Sequence, residues 1–126
     1  MVPLRRSPGL IPLALVAMAC AHVPPGGGDE PIGEGIASYY GTALRGSRTA
    51  SGERFDPEEL TAAHPSLAFG TCLRVQNAEN GRSVRVRVND RGPFVKGRIV
   101  DVSEAAARAL HFLRRGIARV RLFLCA

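Results

Sequence analysis

Acidic groups and one histidine are gathered at the two ends of a single stretch, Thr49 to Phe94. It opens with TASGERFDPEELTAAH (Thr49 to His64), which carries Glu53, Asp56 and His64, and closes with VRVNDRGPF (Val86 to Phe94), which carries Asn89 and Asp90. Carboxyl and imidazole groups are the usual carriers of general acid–base proton transfer, so a rigid scaffold aiming both loops at one place would make a proton-transfer site. Asp90 follows a strand at the point where Gly92 and Pro93 force the backbone out of any ladder, and its carboxyl should project into a groove. Arg91 supplies the alternative. If strand alternation turns its guanidinium away, Asp90 is free to act; if the two pair, Asp90 is a structural anchor.

The scaffold between the loops reads as a β-hairpin. Cys72 to Asn77 alternates with Leu73 and Val75 on one face, NAENG (Asn77 to Gly81) is a turn signal, and Ser83 to Val88 sets Val84, Val86 and Val88 inward against outward Arg85 and Arg87. NDRGP (Asn89 to Pro93) then breaks the strand. Upstream, Ile36 to Tyr40 forms a first short strand ended by Gly41, and the Gly- and Ser-rich run from Thr42 to Arg54 is a loop exposing Thr49 and Glu53. DPEEL (Asp56 to Leu60) starts at most one helical turn, with Asp56 as its cap and Pro57 at the first helical position. Pro65 biases His64 toward extended geometry. Downstream, Arg98 to Val102 is a strand, Ser103 caps a short helix through Leu110, and Ala118 to Cys125 is a last strand with Val120, Leu122 and Leu124 inward. Strands dominate, so a small closed β-barrel is the natural way to bury their apolar faces without leaving edges.

Composition bounds the rest. The chain of 126 residues has room for one small domain once its first residues are set aside, and no repeat or second domain is visible. The net charge is +6; removing residues 1–19 takes away Arg5 and Arg6, leaving 15 basic against 11 acidic groups, or +4. Such a charge suits nucleic acid, anionic lipid, an acidic wall polymer or simply an arginine-rich soluble surface, and cannot choose among them. No nucleic-acid-binding signature, phosphate-cradling glycine loop or nucleophile elbow appears. His22, His64 and His111 are far apart with no zinc-site spacing, so neither a metal nor another cofactor is expected.

MVPLRRSPGLIPLALVAMAC has the basic start, short apolar run and small-residue exit of an export signal, which sets residues 1–19 apart. Cys20 stands where a bacterial lipoprotein signal would be cut and the thiol acylated. Ala17 and Met18 depart from the usual Leu and small residue there, and the alternative is cleavage nearby without a lipid. Residues 20–34 read as lipid anchor and extended tether, and residues 35–126 as the folded domain. In an oxidising compartment, strand parity puts Cys72 beside Arg74 and Cys125 beside Arg121, all outward, so a Cys72–Cys125 disulfide is sterically reasonable.

YYG (Tyr39 to Gly41), TASGERFD, LTAAHPSLAFGT (Leu60 to Thr71), VNDRGPF and GRIVDVSEAAA (Gly97 to Ala107) together resemble the core of the rare lipoprotein A (RlpA) family, over about three quarters of the chain. The resemblance implies a six-stranded double-psi β-barrel and a lytic transglycosylase acting on peptidoglycan glycan strands. It places Asp90 as the acid/base, with Glu53 and His64 as neighbours that hold the sugar or tune it and Glu53 as the rival acid. Thr49, Asp56 and Asn89 follow as hydrogen-bonding groups lining the groove. Tyr39 and Tyr40 are candidates for an apolar face under a sugar ring, although alternation keeps both from facing one groove and core packing is expected of at least one. The implied setting is the cell envelope: a monomer, lipid-anchored through Cys20 to the outer membrane, facing the periplasm. No counterpart of the separate glycan-binding repeat domain of longer members is seen, so the barrel is expected to find substrate unaided. The competing expectation is a non-catalytic wall-polysaccharide-binding module of expansin type, since fold alone does not decide function.

Overall fold

The structure, a computed structural model, describes residues 30–126. The expected signal segment, Cys20 and the tether as far as residue 29 lie outside the described residues. Six strands close into a barrel: β1 (Gly33–Tyr39), β2 (Thr61–Ala63), β3 (Cys72–Asn77), β4 (Ser83–Asp90), β5 (Arg98–Val102) and β6 (Ile117–Leu124). Their order around the barrel is β1-β5-β2-β4-β3-β6. β1 runs parallel to β5 and β2 parallel to β4, while the remaining neighbours are antiparallel. A 3-10 turn at Thr42–Leu44 and one helix, α1 (Glu104–Ala109), complete the elements. This is the mainly β closed barrel with one short helix that the alternating patterns predict, with the six strands that the family resemblance implies.

The interior follows from those patterns. Leu73 and Val75 of β3, Val86 and Val88 of β4, Val100 and Val102 of β5, and Val120 and Leu122 of β6 are all buried, each worth about 1.5–3 kcal/mol relative to exposure. Ala106 and Ala107 of α1, with Leu110 and Phe112 after it, join the same core. Ser103 caps α1 through its side chain, which accepts the Ala106 amide. Tyr39 belongs to this part of the molecule: its ring meets Phe112 edge-on and its hydroxyl donates to the Leu113 carbonyl at 3.0 Å. Outside the barrel, Cys72 and Cys125 form a disulfide with Cα atoms 5.5 Å apart, joining β3 to the residue that follows β6.

Four local features depart from expectation. β1 opens at Gly33, inside the stretch read as tether, because Gly33 to Ser38 pair with β6. β2 is absent from the sequence reading; its three residues are buried on both faces, between β4 and β5, and so show no alternation. Asp56 to Glu59 make a turn rather than a helix, with the Asp56 carboxylate accepting the Glu58 amide. Leu124 is exposed rather than inward, while Phe123 is covered by the Arg74 guanidinium at 4.1 Å from its ring centre.

Candidate active site

β4 does not stop at Val88 but continues through Asn89 to Asp90. Its register with β2 slips there, from Ala62 opposite Val88 to Ala63 opposite Asp90, so Asn89 is the extra residue of a bulge. Bulges re-aim side chains beside functional sites. Ala63 also pairs with Asp101 of β5, and Asp101 with Ser38 of β1, which sets Ser38, Asp101, Ala63 and Asp90 in one row across four strands. The two acidic residues are thus two strand spacings apart, roughly 10 Å between backbones. Beyond that row lies an open cavity of about 370 Å³, into which Asp90, Asp101, Tyr40 and Thr49 all contribute.

The Asp90 carboxylate is held by three donors. The amides of Ala50 and Arg91 donate to Oδ1 at 2.8 and 2.9 Å, and the Tyr40 hydroxyl donates to Oδ2 at 2.8 Å. With both lone-pair directions of Oδ1 engaged, Oδ2 retains the one open direction. Arg91 does not compete for it. Its guanidinium lies 4.1 Å from the centre of the Phe69 ring and donates to the backbone carbonyls of His64 and Asp90 at 3.3 and 3.4 Å. Among the described residues no guanidinium makes an ion pair with Asp90. Burial, with the hydrogen bond to Asp90 and the charges of Asp90 and Asp101 behind it, drives the Tyr40 phenol well above its ordinary pKa, so it remains a donor.

Glu53 and His64 flank this centre without lining the cavity. Arg87 donates to both Glu53 carboxylate oxygens at 2.7 and 3.1 Å, and Asn89 Nδ2 adds a third bond at 3.1 Å. The Arg87 and Asn89 hydrogen bonds, followed by the Arg87 charge, hold the Glu53 pKa below its ordinary value. Glu53 is bound by the Arg87 guanidinium and lies outside the cavity lining, which counts against it as the rival acid. His64 is tied to Asp90 through its backbone amide, which donates to the Asp90 carbonyl at 3.1 Å. Its Nδ1 accepts the amides of Ser66 and Leu67 at 3.1 Å each, so the ring organises its own loop. Burial, then the Arg91 charge, lowers its pKa, and the ring is neutral.

The other expected groups divide. Tyr40 and Thr49 reach the cavity, although Thr49 is buried rather than exposed, its hydroxyl donating to the Glu53 carbonyl at 2.8 Å. Asn89 supports the site from within, behind Glu53. Tyr39 is removed from any sugar face by its place against Phe112, as alternation demands of one of two adjacent residues. Asp56 does not line the cavity; its carboxylate is engaged in its turn and lies 3.7 Å from Arg45.

Residues 32–122 match the model of a family described as lytic transglycolase, the double-psi β-barrel domain. The chain belongs to this RlpA-type family. A relative named "Probable endolytic peptidoglycan transglycosylase RlpA", from Nostoc, is 57% identical over 71% of this chain and 24% of its own length. An endolytic peptidoglycan transglycosylase RlpA from Campylobacter jejuni is 49% identical over 71% of this chain and 32% of its own. The chain therefore spans about a quarter to a third of these relatives. An apo expansin from Clavibacter michiganensis superposes with a TM-score of 0.58 at 25% identity, covering 74% of this chain and 50% of that one.

Within the lytic transglycolase barrel, Asp101 is the residue that sequence reading passed over. Its Oδ1 accepts from Ser38 and from Arg98, the latter a 3.0 Å ion pair. Its signal was present in GRIVDVSEAAA, where Val100 and Val102 point inward and the intervening aspartate outward, on a strand whose neighbours no local pattern reveals.

Proposed function

We propose that this domain is a peptidoglycan lytic transglycosylase that cleaves glycan strands without water and leaves 1,6-anhydro ends. The observation that carries the reading is the Asp90 carboxyl, open to the cavity at Oδ2 and free of any guanidinium partner among the described residues. In the first step Oδ2 gives its proton to the bridging glycosidic oxygen as the bond from C1 to that oxygen breaks. The carboxylate then takes the proton of the same sugar's 6-hydroxyl while that oxygen bonds to C1, closing the anhydro ring. One side chain serves as acid and then base, and neither a metal nor a cofactor is consumed. Asp101, which lines the same cavity and is paired with Arg98, is the carboxylate assigned to face the positive charge that develops at C1. Tyr40 fixes the Asp90 carboxyl in plane, and Glu53 and His64 act as positioning residues behind it.

The names of the similar relatives support peptidoglycan as substrate and a cell-wall-associated envelope location. Among the described residues no helix is long and apolar enough to cross a membrane. The basic and apolar N-terminal sequence ending at Cys20 supports a lipid anchor, and the reading sets the protein as a monomer on the outer membrane, facing the periplasm.

Purified protein incubated with isolated sacculi will release anhydro-muropeptides, identified by mass spectrometry. Asp90→Asn will abolish release, a loss of at least about 100-fold, with fold and sacculus binding retained. Products bearing ordinary reducing ends would mean hydrolysis instead. Binding without any product would favour the expansin-like module, the reading that the Clavibacter michiganensis fold likeness keeps in play.

A further inference from the structure

We propose that Phe94 is the stacking platform for one sugar ring of the glycan bound in this cavity, with Leu44 as a second apolar contact; the inference rests on the reading above and names a binding determinant of its site. With no Trp in the chain, the sugar-facing aromatic surface must come from few residues, and both tyrosines are committed elsewhere. Tyr39 packs in the core against Phe112, and Tyr40 is held between Asp90 and the edge of Phe55. Phe94 has no such commitment. It is 80% exposed, the most exposed large apolar side chain among the described residues, and it lines the same cavity as Asp90 and Asp101.

The local backbone explains how the ring stands there. Gly92 has φ of +116°, a conformation closed to most side chains, two residues before Phe94. The loop thus lifts an aromatic ring out of the barrel without covering it. Leaving such a ring in water forgoes the gain that burial would bring, which a ligand can restore. Of the other exposed apolar side chains among the described residues, only Leu44 lines this cavity, and Phe69, the other exposed aromatic among them, already lies under Arg91.

The mixture of walls selects the occupant. A pyranose ring has an apolar face of axial C–H groups and a rim of hydroxyls, matching an aromatic ring beside Asp90, Asp101, Thr49 and Tyr40. A lipid surface would match Phe94 and its exposed neighbour Val95 but would have to desolvate two carboxyl groups at the same time. The cavity volume, about 370 Å³, is near the lower end for ligand sites and suits a short stretch of glycan.

Phe94→Trp introduces a single indole into a chain that has none, so its emission reports on this position alone. Titration with peptide-free glycan strands is expected to shift and saturate that emission, and Phe94→Ala to weaken sacculus binding about tenfold with an unchanged melting temperature. Phe94→Tyr should bind within about twofold of the parent. Unaltered sacculus binding by Phe94→Ala overturns the inference. So does an emission change that appears only with vesicles of phosphatidylglycerol. Saturable glycan binding at the indole without anhydro products supports the inference while removing the transglycosylase, so the two fail separately.

Discussion

At the scale of single residues, the site rests on how few atoms around Asp90 remain uncommitted. Two amides engage Oδ1, the Tyr40 phenol engages one side of Oδ2, and the adjacent arginine is drawn off by an aromatic ring. His64 shows the same economy, with Nδ1 spent on two backbone amides. Because burial and the Arg91 charge lower the folded pKa of His64 below 6.5, the unfolded chain takes up a proton first as the pH falls. Stability contributed by the neutral ring is therefore present above pH 6.5 and lost as the pH drops through the folded value. The urea midpoint should be lower at about pH 5 than at about pH 8, a window above the ordinary carboxylate range. His64→Asn, whose amide oxygen can accept the same two N–H groups without titrating, should flatten that dependence; an equally steep fall in the variant would contradict the assignment.

At the scale of elements, a long loop is clipped to the end of β4. Ala50 donates to the Asp90 carboxylate, Ser51 to the Asn89 carbonyl at 3.2 Å, and Glu53 is gripped by Arg87 and Asn89. The Glu53 and Arg87 side chains are 38% and 45% exposed, so their pair adds under about 1 kcal/mol to global stability. Its importance is local, in holding the Ala50 amide against Asp90. Glu53→Ala should leave the denaturation midpoint nearly unmoved, speed hydrogen exchange at Ala50, and lower product release on the order of ten- to a hundredfold, as displacement of a positioned group does. A wild-type rate of release with fast exchange at Ala50 would show the clip to be dispensable.

At the scale of the whole molecule, barrel closure and one disulfide hold the domain together. The Cys72–Cys125 bond joins residues 53 apart, and on the chain-entropy account a loop of that length stabilises by about 4 kcal/mol. A Cys72→Ser, Cys125→Ser double variant should lose about that much in guanidinium denaturation, and the oxidised parent should show neither thiol as free. Much of this barrel was legible beforehand. β3, β5 and α1 could be read from alternation and a capping serine because each buries one face against a common core, and the cysteines' outward parity followed from the same period. What local patterns could not carry is pairing between strands distant in sequence. β2, three residues buried on both faces, has no period to read; the row Ser38, Asp101, Ala63, Asp90 exists only because β5 and β2 come to lie between β1 and β4. The chain alone therefore determined which loops hold Glu53, His64 and Asp90 and which valines and leucines of β3, β4 and β5 face the interior. Only the closed barrel decided that Asp101 joins Asp90, that Arg91 turns to Phe69, and that Tyr39 packs inward while Tyr40 meets the carboxylate. Those outcomes depend on register between distant strands, which periodicity along a single strand does not encode.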